Sequence, residues 1–281
     1  YCAIPSIRGK FRSRRMEDIV KEARWLAENG VTELVVVAQD TTRYGEDIYG
    51  KSMLPELLTA LCEIDGFKWI RTLYCYPERI TDELLDVIAK EDKLVKYLDM
   101  PIQHCNKTIL KRMNRHGDRE TLTALIKKIR ERIPNVTLRT TLITGFPGET
   151  EEQFEELCEF VKEIRFERLG CFAYSPEEGT PAEQFEDQVP LKDRERRAEI
   201  IMEEQMIISD SLNEAALDSE VEVVCEGFDR YAECYYGRSQ ADAPEIDGKI
   251  FFLSEDKVRI GEYVKVKIDD TMDYDLIGSK M

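Results

Sequence analysis

Five apolar runs in this sequence end in side chains able to grip a small polar molecule. Gln39-Asp40-Thr41 follows the run 33–38, Tyr76-Pro77-Glu78 follows 69–75, and Gln103-His104 follows 96–102. The run 137–144 contains Arg139 and Thr141 and ends at Gly145-Phe146-Pro147-Gly148-Glu149, and the run 168–174, which contains Phe172, ends at Tyr174-Ser175-Pro176. Amides and aromatic rings with few ionisable groups suit a polar, zwitterionic ligand better than acid–base hydrolysis. Gln39, Tyr76, Gln103, Arg139, Thr141 and Phe172 are therefore the candidates to line one ligand cavity. Arg139 offers a cation to a carboxylate, and the amides suit a ribose or an amino group.

Other chemistries find less support. His104 and His116 are the only histidines, too few for a zinc site, and no Ser-His-Asp arrangement is recognisable. No lysine stands convincingly at the end of a run to form a Schiff base, which disfavours an aldolase-type lyase. The Gly145–Glu149 turn reads equally as a ligand cradle at a helix start and as a plain strand–helix turn. Arg8, Lys10, Arg12, Arg14 and Arg15 read equally as a solvated loop and as a basic patch at the mouth of a site. The eight cysteines contain no C-x-x-C pair, and all except Cys2 read as reduced, buried structural thiols.

The elements that must position these residues repeat. An amphipathic helix precedes a short apolar strand from residue 13 to residue 176. Helices are expected at 16–29, 53–64, 81–90, 119–132 and 151–164, with strands at 33–38, 69–75, 96–102, 137–144 and 168–174. Thr81 and Asp118 are the expected N-caps of two of these helices, and Thr150 with Gln153 forms a capping box for another. Strands that alternate with helices are parallel and joined by right-handed crossovers. The fold class is thus α/β, with five visible strands and a sixth expected just before Tyr1. The pattern alone fits an open doubly wound sheet and a barrel equally. A long charged helix is expected over 191–217. After Asp218 the runs 220–225, 230–236, 248–253 and 262–268, separated by turns, read as a small antiparallel barrel.

The chain of 281 residues has room for one large and one small domain, expected at 1–217 and 218–281. Its 57 Asp and Glu outweigh 40 Lys and Arg, for a net charge of −17. Residues 218–281 carry sixteen carboxylates against eight cations. Such a protein attracts a basic partner and repels nucleic acid except at a local basic patch. No apolar run approaches the roughly 20 residues of a membrane span, and no secretory signal is visible, so the expected location is the cytoplasm.

The longest motifs point to one family. Tyr1-Cys2-Ala3-Ile4-Pro5, with Arg8-Gly9 and Arg12-Ser13-Arg14, resembles the end of the C-x-x-x-C-x-x-C segment of radical S-adenosylmethionine enzymes, with Cys2 at the third cysteine. Thr141-Leu-Ile-Thr-Gly-Phe-Pro-Gly-Glu-Thr150, Leu110-Lys-Arg-Met-Asn-Arg115 and Tyr174-Ser-Pro-Glu-Glu-Gly-Thr-Pro181 resemble the methylthiotransferase subgroup. The resemblance covers nearly the whole chain. It implies an open TIM-like barrel of about six parallel strands followed by a five-stranded TRAM-like barrel. It implies S-adenosylmethionine as cofactor, a [4Fe–4S] cluster held by three thiolates with Cys2 among them, and an external electron donor. It further implies a second cluster in an N-terminal domain that supplies sulfur. The first two cluster cysteines would precede Tyr1, so the resemblance implies an N-terminally truncated chain, inactive alone.

Two branches of that family compete. One modifies an aspartate of a small-subunit ribosomal protein, and the other modifies isopentenylated adenosine in transfer RNA. Tyr97-Leu-Asp-Met-Pro-Ile-Gln103, Arg139-Thr-Thr141 and Phe166-Glu-Arg-Leu-Gly170 with Glu177-Glu178 resemble the protein-modifying branch. The acidic C-terminal segment agrees, since an RNA-gripping barrel is expected to be basic. A non-enzymatic binding module on a barrel scaffold is the reading from another class, and Cys2 beside Tyr1 argues against it.

Overall fold

The computed structural model describes residues 2–281. Its first part runs α1 (Ile4–Arg8), α2 (Met16–Glu28), β1 (Glu33–Val36), α3 (Glu46–Tyr49), α4 (Leu54–Cys62) and β2 (Trp69–Thr72). Then come α5 (Asp82–Lys90), β3 (Tyr97–Asp99), α6 (Lys107–Arg112), α7 (Arg119–Arg132), β4 (Thr137–Thr144), α8 (Glu151–Ile164) and β5 (Arg168–Ala173). Local chemistry sets several of these boundaries. Thr81 caps α5, and Asp118 and Thr150 close capping boxes on α7 and α8, each cap being worth about 1 kcal/mol. α8 buries Phe154, Leu157, Val161 and Ile164 at helical spacing against the sheet.

Each of the five strands lies parallel to the next. β1 pairs with β2, and β3 with β4 and β4 with β5; a parallel bridge between Ile70 and Leu94 joins the two groups. The spatial order follows the chain order and never reverses. A doubly wound sheet requires a reversal, so the strands form an open, TIM-like half-barrel. The sixth strand expected before Tyr1 lies outside the described residues, and Ile4–Arg8 is helical.

α9 (Leu191–Glu214) packs along β5 and ends three residues before the expected Leu217. Beyond it, β6 (Glu220–Asp229), β7 (Cys234–Arg238), β8 (Ile250–Leu253), β9 (Tyr263–Met272) and β10 (Asp275–Lys280) close a small barrel in the order β10-β8-β7-β6-β9. Its core is Val223, Cys225, Ile250, Phe252, Val264, Val266 and Ile268. One expectation is corrected here. The barrel is not wholly antiparallel, because β10 inserts beside β8 in parallel while pairing antiparallel with β9.

The two barrels share a core of Trp69, Leu73, Val95, Tyr97, Val224 and Ala243, with Tyr263 edge-on to Trp69 at 4.9 Å. The segment between β7 and β8 covers the N-terminal end of the half-barrel. Gln240 accepts a hydrogen bond from Arg71 through its carbonyl, Asp242 accepts one from Arg168 at 2.6 Å, and Asp247 accepts one from the Tyr97 hydroxyl at 2.6 Å. Arg238 of β7 reaches Glu33 of β1 at 2.6 Å. Arg71 is fully buried, and Asp242 and Asp247 are nearly so. The half-barrel is therefore covered below by the C-terminal barrel and open above.

Candidate functional site: the mouth of the half-barrel

The open end is where the carboxyl ends of the strands meet, the usual place for chemistry in parallel barrels. Two of its residues hold left-handed backbone, Tyr74 with φ 59° and Gln103 with φ 70°. Non-glycine residues pay about 1–3 kcal/mol for such geometry and cluster at ligand sites. Hydrogen bonds lock both in place. The Gln103 amide donates to Thr141 and its carbonyl accepts from Ile143, while the Tyr74 amide donates to the Asp99 carboxylate.

Tyr76, Gln103 and Arg115 converge here. Arg115 places its guanidinium 4.1 Å from the centroid of the Tyr76 ring and donates to the Pro101 carbonyl, which also accepts from the Gln103 side-chain amide at 3.4 Å. Arg115 is 8% exposed, and no carboxylate pairs with it among the described residues. A buried guanidinium without a carboxylate partner, in a protein of net charge −17, is the group at this end whose chemistry suits an anion. Burial raises the Tyr76 phenol above its ordinary pKa; Arg115 opposes this, and Asp40 and Cys2 add to it. Cys2, the one fully exposed cysteine, thus stands within electrostatic reach of the Tyr76 ring.

The other expected residues distribute by depth. Alternation along β4 turns Arg139, Thr141 and Ile143 to one face, and registry places Thr141 beside Gly170 and Ile143 beside Phe172. Thr141 lies at the level of Gln103. Phe172 is 62% exposed on the inner face, and Gln39 is exposed after β1. Arg139 sits lower. It donates to Asp99 at 2.9 Å and lies 3.6 Å from Asp247, so its charge is already matched. Arg115, from the loop after α6, offers the free cation that sequence reasoning sought in Arg139. Its signal was present, since it ends the motif Leu110–Arg115.

Asp40 is also at this end. Its carboxylate accepts from the amide and hydroxyl of Thr42, and its second oxygen has no hydrogen-bond partner. Burial holds its pKa above the usual carboxylate value, against the pull of Thr42 and Arg79.

The Gly145–Glu149 turn is filled by the protein itself. Glu149 is buried, accepting from the Gly145 amide at 2.9 Å and from Arg197 at 2.9 Å, with His104 Nε2 at 3.5 Å. His104 Nδ1 accepts from the Asn106 amide, so its proton belongs on Nε2, facing Glu149. Gly145 has φ 67° and abuts the Arg194 side chain, which leaves no room for a Cβ. The basic run lies against the loops at the mouth, where Ser13 bonds Asp47 and Gly45, and the Tyr44 hydroxyl bonds the Arg14 carbonyl. Arg14 pairs with Glu22; Arg8, Lys10, Arg12 and Arg15 are exposed without an ion pair among the described residues.

An apolar cavity of about 480 Å³ lies elsewhere, between α2, β1 and α4, walled by Ile19, Leu26, Leu34, Val36 and Leu57. Asp40 and Thr41 touch it, but Tyr76, Gln103 and Arg115 do not, and its chemistry suits packing rather than a zwitterion.

The donors present were tested against the two groups expected here. Burial pushes the Cys75 and Cys171 thiols up to about 12 and the Cys62 and Cys158 thiols up to about 11, so none of them is a ready thiolate near neutrality. Among the described residues no group of three His, Cys, Asp or Glu is placed to hold a metal. An iron–sulfur cluster does not fit this donor set, with Cys2 as its one accessible thiol. A molecule with a carboxylate, an amine and a ribose does fit the mouth, where a free guanidinium, an amide and an aromatic ring face it.

Fold and mouth together define an open barrel of the partial-TIM class with, at its open end, a buried arginine that has no carboxylate partner among the described residues. The chain belongs to the radical SAM superfamily, whose model matches residues 1–161, and a TRAM domain model matches residues 219–280. It is 51% identical over 99% of its length to the ribosomal protein uS12 methylthiotransferases RimO of Clostridium tetani (strain Massachusetts / E88) and of Clostridioides difficile (strain 630). The chain spans 62% of the length of these curated relatives. A solved structure, the radical SAM enzyme coproporphyrinogen III oxidase (HemN) from Escherichia coli, superposes with a TM-score of 0.51 at 21% identity over 73% of this chain and 48% of its own, a likeness of fold. No helix among the described residues is long and apolar enough to cross a membrane.

Proposed function

We propose that this chain carries the catalytic barrel, residues 1–217, and the substrate-recognition barrel, residues 218–281, of a methylthiotransferase that modifies an aspartate of the ribosomal protein uS12. The observation that carries the reading is identity of 51% along 99% of the chain with proteins of that activity. The mouth supports it independently. Tyr76, Gln103 and Thr141 would hold S-adenosylmethionine, Arg115 would take its carboxylate, and Gln39 and Phe172 would border it. The cofactor supplies the hydrogen-abstracting chemistry and the methyl group. The protein's own residues bind it, orient it and exclude water from beneath it. The iron–sulfur chemistry requires thiolates besides Cys2. The net charge of −8 on residues 218–281 favours a basic protein over transfer RNA, and a ribosomal substrate would be consistent with a cytoplasmic location.

The test is reconstitution with iron, sulfide, S-adenosylmethionine and a reductant, with uS12 and isopentenylated transfer RNA offered in parallel. In this assay the chain is joined to an upstream segment completing the C-x-x-x-C-x-x-C motif. A methylthio group on the uS12 aspartate is the expected product. Modification of the RNA alone would transfer the protein to the other branch, and modification of neither would reject both.

A further inference from the structure

We infer that Asp247, a residue of the C-terminal barrel, is a positioning residue for the mouth at the far end of the half-barrel. A continuous series of polar contacts connects them. Asp247 Oδ1 lies 3.6 Å from Arg139 Nε, and Arg139 donates to Asp99 Oδ1 at 2.9 Å. The other Asp99 oxygen accepts the Tyr74 amide at 3.0 Å, and the Asp99 carbonyl accepts the Cys75 amide at 2.8 Å. Tyr74 is the residue held at φ 59°, and its carbonyl accepts from the amide and hydroxyl of Thr41. Two residues on, Tyr76 carries the Arg115 guanidinium on its ring.

Asp99 thus has one oxygen on the arginine and one on a strained amide. Its orientation depends on where Arg139 sits, and Arg139 stands between two carboxylates, one from each barrel. Removing the Asp247 charge leaves Arg139 a single partner, free to shift toward Asp99 and disturb its second bond. Asp242 provides the contrast. It makes an equally buried ion pair with Arg168 across the same joint, but no hydrogen bond leads from Arg168 to Asp99 or Tyr74. Docking alone would make the two acids equivalent, whereas the contact series makes them different.

The experiment compares Asp247→Asn with Asp242→Asn in the 281-residue chain, without cofactor, by amide hydrogen exchange. The asparagine at 247 still accepts from Tyr97 and Ala243. Asp247→Asn is expected to speed exchange at Tyr74 and Cys75 by about tenfold, the effect of one weakened buried hydrogen bond, with Val264, Val266 and Ile268 unchanged. Asp242→Asn is expected to leave Tyr74 and Cys75 protected. Where Asp247→Asn is too unstable to purify, Arg139→Lys breaks the same link and should release the same two amides. Equal effects of the two asparagine variants, or protection at Tyr74 and Cys75 in both Asp247→Asn and Arg139→Lys, would overturn the inference. A second arm measures S-adenosylhomocysteine affinity, expected to fall about threefold or more in Asp247→Asn alone. That arm rests on the cofactor reading above, and the exchange arm does not. Released amides with unchanged affinity would therefore keep the positioning role and count against the cofactor assignment.

Discussion

The guanidinium of Arg115 lies 4.1 Å from the ring of Tyr76, and neither side chain belongs to a strand of the barrel whose mouth they form. Arg115 arrives from the loop after α6, and Tyr76 from the short turn after β2. The pair joins two neighbouring loops through a cation–π contact worth about 1–2 kcal/mol when desolvated.

Arg115→Met should weaken binding of S-adenosylhomocysteine about tenfold or more, as expected for a lost charge-assisted contact. Arg115→Lys should restore little, because an ammonium cannot reproduce the planar stack. Arg139→Met should act mainly on stability, costing about 3–5 kcal/mol by stranding Asp99 and Asp247, with the smaller loss of affinity, about threefold, that follows from its link to the mouth. Titration calorimetry and thermal unfolding separate the two; equal loss of binding in both variants would return Arg139 to the site.

Residues 1–281 alone should take up no stoichiometric iron–sulfur cluster, while a chain extended to complete C-x-x-x-C-x-x-C at Cys2 should. Anaerobic reconstitution followed by iron analysis and the visible absorption band decides this. One cluster per 281-residue chain would defeat the ligand count.

Thiol reactivity should be sharply divided. Cys2 should react with iodoacetamide in the folded protein at pH 8, whereas Cys75, buried, and Cys171, half-buried, both raised to about 12, should react far more slowly until the protein unfolds. Peptide mapping after a short pulse reads the difference, and native labelling of Cys75 would contradict the packing at the mouth.

Asp40 predicts a pH dependence. Burial raises its folded pKa above the ordinary carboxylate value, so the folded state holds the proton more tightly than the unfolded one. The destabilisation is absent at low pH, where both states are protonated, and grows as pH rises through the folded pKa. Asp40→Asn should therefore raise the unfolding midpoint at pH 7, with a gain that shrinks toward pH 4. A constant gain across that range would assign the effect to packing instead.

The C-terminal barrel should prefer a basic protein to RNA. Its eight cations stand among twice as many carboxylates, whereas phosphate binding needs cations gathered on one face. Neutralising Glu220, Glu222, Asp269 and Asp270 together should weaken uS12 binding and flatten its salt dependence without unfolding the barrel. Micromolar transfer RNA binding at physiological salt, with no affinity for uS12, would reject the assignment.

Local signals carried much of this structure. Helices α7 and α8 begin where Asp118 and Thr150 place them, because a cap acts within four residues of chain. Barrel and doubly wound sheet looked alike because strand order is a long-range property, settled only by the β2–β3 bridge. β10 was missed for the same reason: its partner β8 lies 22 residues back and runs parallel to it. At the site, alternation assigned Arg139 to a face and said nothing about depth. The carboxylates that claim it are Asp99, on the neighbouring strand, and Asp247, more than a hundred residues further on. Arg115 stood in a recognisable motif, but only folding reveals that it has no acid to pair with.

The placement of β10 between β8 and β9 has a consequence for synthesis on the ribosome. The small barrel cannot close until Asp275–Lys280, the last of its five strands, has emerged. Until then the β7–β8 segment has no rigid frame to present Asp242 and Asp247. Arg168, made much earlier, must wait for Asp242, and Arg139, already held by Asp99, for its second carboxylate. At about 5–20 residues per second, the half-barrel spends several seconds as a nascent domain with an uncovered underside in which Arg168 lacks its carboxylate partner. Docking of the two barrels is thus deferred until β10 is in place, and deletion of Asp275–Lys280 would leave the small barrel unclosed.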